Sequence, residues 1–197
     1  DEAATTGLGA YVMNTESHAD TMSTNNLSKL TANTLTLAGY LGSATVALAA
    51  DAATANTSVK KVAADVNAVK DATGIEAVAI TKGKISGVSA AGKISFDLIG
   101  NHTDGVAATF YDVTASLAST SDLDPLVDAI NAHAANTGIT AVLGSAASEI
   151  ILTHQTGETI EISALKVNNS TDGTMVLTAL DKFGNDIQSK DTTIGRA

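Results

Sequence analysis

Four histidines, His18, His102, His133 and His154, are the residues of this chain best suited to acid–base or metal chemistry. A zinc protease would place two of them four apart on one helix face, with a glutamate beside the first, in the HExxH pattern. No pair has that spacing, so surface or partly buried histidines are expected. Asp122, Asp124 and Asp128 suggest a calcium loop, yet the glycine and closing glutamate of an EF-hand are missing, and Pro125 interrupts the spacing. Helix capping and the positive end of a helix account for them. The chain has no cysteine, which removes thiolate metal sites and disulfides, and no serine lies in a GxSxG elbow. Gly7-Leu8-Gly9 and the Gly39 to Gly42 stretch lack the spacing and the lysine of phosphate-cradling loops and read as turns. Asn26, Asn56, Asn101, Asn168 and Asn169 each open an Asn-X-Ser/Thr triplet, which a chain so rich in these residues produces by chance. No catalytic, cofactor-binding or metal-binding residue is therefore expected, and no cofactor.

The composition narrows the classes further. With 197 residues, 44% of them hydrophobic, the chain is long enough for one large domain or two small ones. Its apolar residues are mostly Ala, Val, Leu and Ile, with three Phe, three Tyr and no Trp. The cores should be thin and aliphatic, with little of the aromatic surface that lines binding pockets. The net charge is −10, and the 11 basic residues are scattered rather than gathered into a patch that could neutralise a phosphate backbone. Nucleic acid is not expected as a partner. Nor is a membrane, since no run approaches the roughly 18 apolar residues of a span. The start, Asp1-Glu2-Ala3-Ala4, lacks an initiator Met and a signal-peptide pattern, as a soluble fragment of a longer chain would.

The elements that must position any site follow from periodicity. Residues 1–33 are small and polar, without a sustained period, and read as loop with one short helix. Residues 34–37 and 44–47 alternate in polarity around Gly39 and Gly42, as two strands joined by a turn would. From 58 to 72 the period changes, with Val59, Val62, Val66 and Val69 on one helical face and Gly74 placed to end the helix. Residues 75–80 then read as a strand. Further on, 93–98 alternates and 107–113 reads as a strand. Asp124 is the expected cap of a second helix, with Pro125 in its first turn and Leu123, Leu126, Val127 and Ile130 as its buried stripe. Gly138 closes that helix and 139–142 leaves as a strand. Residues 149–153 and 159–162 flank Gly157 as an expected hairpin, and 174–180 forms a last strand that Gly184-Asn185 turns toward Ile187.

An internal repeat underlies this order. Shifting the chain by 64 residues lays 62–78 onto 126–142 without a gap, with seven of 17 positions identical. The identical pairs are Asn67/Asn131, Ala68/Ala132, Thr73/Thr137, Gly74/Gly138, Ile75/Ile139, Ala77/Ala141 and Val78/Val142, while Val62/Leu126 and Val66/Ile130 keep the apolar face. His133 falls where the first copy has Val69, a helix position at the edge of the core. The fold class expected is α+β, with two repeated strand-strand-helix-strand units and antiparallel hairpins that can share a discontinuous base.

The residues of this repeat resemble a known family. Val66-Asn67-Ala68 followed by Thr73-Gly74-Ile75-Glu76-Ala77, and Val127-Asp128-Ala129-Ile130-Asn131-Ala132 followed by Asn136-Thr137-Gly138-Ile139-Thr140-Ala141, resemble the IN module of bacterial flagellins and hook-associated proteins. Ile150-Ile151-Leu152-Thr153 and Gly157-Glu158-Thr159-Ile160 resemble its continuation, so that the resemblance spans roughly residues 35–162. It implies four parts: a polar segment 1–33 packing with the C-terminal hairpin, IN-type modules at 34–90 and 91–165, and a strand hairpin at 166–197. It also implies a non-enzymatic structural domain in the variable middle of flagellin, on the outside of the bacterial flagellum. Such a domain would be extracellular, secreted through the flagellar export apparatus, and would support motility while exposed to antibodies. Neighbouring flagellin subunits are the implied partners in the full-length filament. The terminal helices that carry polymerisation in that family have no counterpart here, so the fragment itself is expected to be monomeric. Two other readings stay open: the middle of a filament cap protein, which also carries IN modules, and a carbohydrate-binding or adhesive module. Tyr11, Tyr40 and Tyr111 are too dispersed to favour the latter.

Overall fold

A computed structural model describes residues 33–48, 59–101, 109–171, 173–187 and 192–195. The expectations for residues 1–32, His18, His102, Tyr11 and the triplets at Asn26 and Asn56 lie outside these residues. What is described is mostly antiparallel β-structure with a few short helices, compatible with α+β or mainly β.

The first hairpin pairs β1 (Asn33–Ala38) with β2 (Ser43–Leu48) in an unbroken antiparallel register. Leu37, Val46 and Leu48 point inward at alternate positions, and α1 (Val59–Asn67) lays Val59, Val62, Ala63 and Val66 against them. The helix expected over 58–72 is in fact two pieces. Val69 takes a φ of −109° and ψ of 15°, and a separate turn, α2 (Lys70–Thr73), follows before Gly74. With Ile75 and Ala79 these residues form a small aliphatic core.

The larger core lies between two other sheets. One has the order β10-β9-β3-β7-β6, and the other the order β5-β4-β8. Their members are β3 (Thr81–Ser86), β4 (Gly92–Ile99), β5 (Tyr111–Leu117), β6 (Ile139–Leu143), β7 (Ile150–His154), β8 (Glu161–Val167), β9 (Thr174–Leu180) and β10 (Thr192–Gly195). Helices α3 (Asp124–Asn131) and α4 (Ala134–Thr137) connect the two, with α3 packed on β5 and β6. Phe96, at 1% exposure, sits mid-strand on β4 opposite Val113. The same core holds aliphatic side chains from the other strands of both sheets and from α3.

Four expectations need correction. Residues 75–80 alternate as a strand should, burying Ile75 and Ala79 while leaving Val78 83% exposed. They join no ladder among the described residues, and the next strand, β3, crosses to the five-stranded sheet instead of folding back. The hairpin expected around Gly157 does not form. β7 pairs with β3 and β6, whereas β8 pairs with β4, and residues 157–160 are all buried as the chain passes from one sheet to the other. The strand expected over 107–113 begins later, at Tyr111. Asp124 makes no capping bond; Leu123 occupies the cap position, and the Asp122 carboxylate accepts the Asp124 N–H at 3.2 Å. Pro125 does lie in the first turn, and Leu123, Leu126 and Ile130 are buried, with Val127 partly so.

Two features escape a period-based reading. β3 contains Lys82, Gly83 and Lys84 and only one large apolar residue, Ile85, yet it pairs on both sides, with β7 and with β9. Gly83 lies directly beneath Leu177 of β9, where a side chain would crowd its methyl group. On β8 the inward residues Ile162, Leu165 and Val167 break strict alternation. Ala164, with φ of 54°, takes up the extra residue where the register against β4 shifts between Ser95 and Asp97. A bulge of this kind restores the inward face after one added residue.

Candidate functional site

At the 64-residue spacing of the sequence repeat, its identical asparagine, threonine and glycine residues make a repeated set of bonds. Asn67 donates from Nδ2 to the Ala77 carbonyl at 2.9 Å and accepts the Ala77 N–H at Oδ1 at 2.8 Å. Asn131 makes the same two bonds to Ala141, at 2.9 and 2.8 Å. An asparagine amide carries a donor and an acceptor side by side, so it binds a backbone residue as a neighbouring strand would. In the second copy the clasped residue lies on β6, which among the described residues is an edge strand, its other side paired with β7. The amide therefore fills backbone positions that an exposed edge would offer to another chain.

The helix ends are built alike. Thr73 Oγ1 donates to the Val69 carbonyl at 2.9 Å and accepts the Ile75 N–H at 3.2 Å. Thr137 does the same with His133 and Ile139, at 3.0 and 3.2 Å. Gly74 and Gly138 follow in the left-handed conformation, with φ of 75° and 71°. Their N–H groups bond back to the carbonyls of Lys70 and Ala134. Only glycine adopts this φ without steric cost. A ring covers each glycine: Tyr40 over Gly74, and His154 over Gly138.

The rings differ in freedom, and this yields a measurable contrast. Tyr40 is 80% exposed and can swing aside. His154 is 5% exposed and held by hydrogen bonds, with its Nε2 only 2.5 Å from where an alanine Cβ at 138 would stand. Gly138→Ala is expected to destabilise by about 2–3 kcal/mol, and Gly74→Ala by about 1 kcal/mol, the cost of the left-handed backbone alone. Urea unfolding of the two variants checks the difference; equal losses would show that His154 yields as readily as Tyr40.

His154 is buried and has hydrogen-bond partners at both ring nitrogens. Its Nε2 lies 3.2 Å from the Thr137 carbonyl, an obligate acceptor, so Nε2 carries the hydrogen. Nδ1 is then the acceptor, for the Glu158 N–H at 3.3 Å and the Thr156 hydroxyl at 3.2 Å. Burial pushes its pKa below the ordinary 6.5, against an opposing pull from Glu158. Glu158, itself buried, pairs with Lys60 at 2.6 Å.

The other sequence candidates are scattered. His133 is half-buried at the start of α4, its ring 5.7 Å from that of Tyr111, in keeping with a position at the edge of the core. Asp122 bonds the Asp124 N–H, while Asp124 and Asp128 are exposed on α3. No group of three or more His, Asp or Glu residues is close enough to hold a metal ion among the described residues. Asn168 uses its amide as a third clasp, accepting the Lys93 N–H and donating to the Ala91 carbonyl, both at 2.9 Å. No helix among the described residues is long and apolar enough to cross a membrane. The geometry supports mechanical work, namely joining helix to strand and covering a sheet edge.

Residues 93–181 match a family model described as the flagellin hook IN motif. The matched span begins in β4, ends just after β9, and contains the second clasp; the first clasp lies outside it. No curated protein matches the chain. The match supports a flagellin middle region and a flagellin-like structural component of the filament, a family that is not enzymatic.

Proposed function

We propose that this chain is the surface-exposed, variable middle portion of a bacterial flagellin, a structural domain with no active site. The observation that carries the proposal is the IN-motif match over residues 93–181. The first unit, with the same asparagine, threonine and glycine bonds at a spacing of 64 residues, is on this reading a diverged second copy of the module. Its role is to be stable and soluble while projecting from the filament. The net charge of −10 and the asparagine cover on the β6 edge suit a surface that must not associate with its neighbours. In the full-length protein the partners are adjacent flagellin subunits, while the fragment alone is monomeric. The protein reaches the cell exterior through the flagellar export apparatus, serves motility and is exposed to antibodies.

Immunogold electron microscopy of intact source cells, with antibody raised against this fragment, tests the assignment. Label along the whole shaft is the expected result. Label at the tip alone would transfer the chain to the filament cap protein. Label elsewhere on the cell surface would overturn the flagellar reading and favour an adhesive module.

A further inference from the structure

We infer that residues 155–158 form an acid-released latch between the two apolar cores, held shut by the neutral ring of His154. This rests on the bonding of the loop and is independent of the flagellar assignment.

Three contacts tie the loop to the first core. The Lys60 N–H, near the first described residue of α1, donates to the Gly157 carbonyl at 3.1 Å. The Lys60 ammonium pairs with Glu158 Oε1 at 2.6 Å. Gly157, with φ of 74°, packs so closely on Ala79 that any side chain at 157 would strike it. One end of the loop thus binds the first core at Lys60 and Ala79. The other end is set by His154 of β7, in the second core's sheet.

His154 holds the loop only in one protonation state. A proton taken from solvent onto Nδ1 turns the acceptor of the Glu158 N–H into a second donor, and two N–H groups then face each other. The Thr156 hydroxyl can rotate to accept, but the Glu158 amide cannot. The imidazolium also competes with Lys60 for the buried Glu158 carboxylate. Among the described residues the charged groups acting on the ring are Glu158, which favours the proton, and Lys60, which opposes it; the Thr137 and Gly100 carbonyls favour it. Burial outweighs these and favours the neutral form. Because the closed form binds the proton more weakly than the open form, the open form holds more protons at low pH. The latch is therefore complete above the ordinary histidine value of 6.5 and loosens as pH falls toward the depressed value of the closed form.

The test is amide hydrogen exchange of the full chain by NMR, from about pH 8 to about pH 5, with the His154 ring nitrogens followed in the same samples. The expected result is the Nε2–H tautomer at high pH, and a Lys60 opening constant that rises about tenfold per pH unit between the open-form and closed-form pKa values. The Leu152 amide, inside the β7 ladder, serves as the control and stays protected. In His154→Gln the pH dependence at Lys60 disappears. Lys60 protection that is flat with pH while His154 titrates would overturn the latch, as would an Nδ1–H tautomer. The wild-type readings decide alone where His154→Gln does not fold.

Discussion

Phe96→Ala is expected to remove about 3–5 kcal/mol of stability, the usual loss for emptying a buried aromatic site, and to leave a large fraction of the chain unfolded at 37 °C. Phe96 is the bulkiest fully buried side chain among the described residues. It stands on the central strand of its sheet, so strands hold its backbone from both sides and the void cannot collapse readily. Phe96→Leu fills most of the space and should cost about 1–2 kcal/mol. Guanidinium unfolding of the three proteins gives the comparison. A loss under about 1 kcal/mol for Phe96→Ala would mean that the core repacks freely and that shape at this position matters little.

Asn131→Ala is expected to act on both stability and association. It removes two good hydrogen bonds and leaves the N–H and C=O of Ala141 unsatisfied on a half-covered edge, a cost of about 2–3 kcal/mol. The matching change, Asn67→Ala, removes the same pair of bonds at an exposed site where water replaces them, and should cost about 1 kcal/mol or less. Asn131→Ala should also self-associate, since it opens the outer side of β6 to strand pairing. Unfolding curves with light scattering at rising concentration distinguish the two effects. If the two alanine variants lose equal stability, the depth of the second clasp has no energetic consequence.

How much of this was legible beforehand depended on whether an element declares itself through its own side chains. β1, β2, α1, α3, β4, β6 and β9 do so, because their apolar residues recur at the strand or helix period. The repeat was legible for a related reason: Asn67 and Asn131, like Thr73 and Thr137, perform tasks that tolerate few other residues. Partner choice was not legible. Residues 75–80 alternate properly, yet alternation states only that one face is buried, and no strand arrives to pair with them among the described residues. β3 failed in the opposite sense, since its neighbours rather than its side chains make it a strand. His154 follows Ile150 and Leu152 at the period of two, a pattern that marks an inward position. The Lys60–Glu158 pair that ties its loop to the first core joins residues 98 apart, and no local pattern announces it.

The place of β3 in its sheet has a kinetic consequence. Hairpins such as β1–β2 and β6–β7 close short loops and can form within microseconds. Among the described residues the first core draws on the stretch from Leu35 to Ala79, so the loop-closure entropy of these contacts is small. β3 is different, because it is clamped between β7 and β9, and Lys84 finds Asp186 across 102 residues of sequence. That ladder has high contact order and must await the far end of the chain. During folding, the early-arriving half therefore holds a lysine-bearing, glycine-centred strand open until the last strands reach it. The two lysines of that strand repel a like copy on a neighbouring molecule during the interval when its edges are bare.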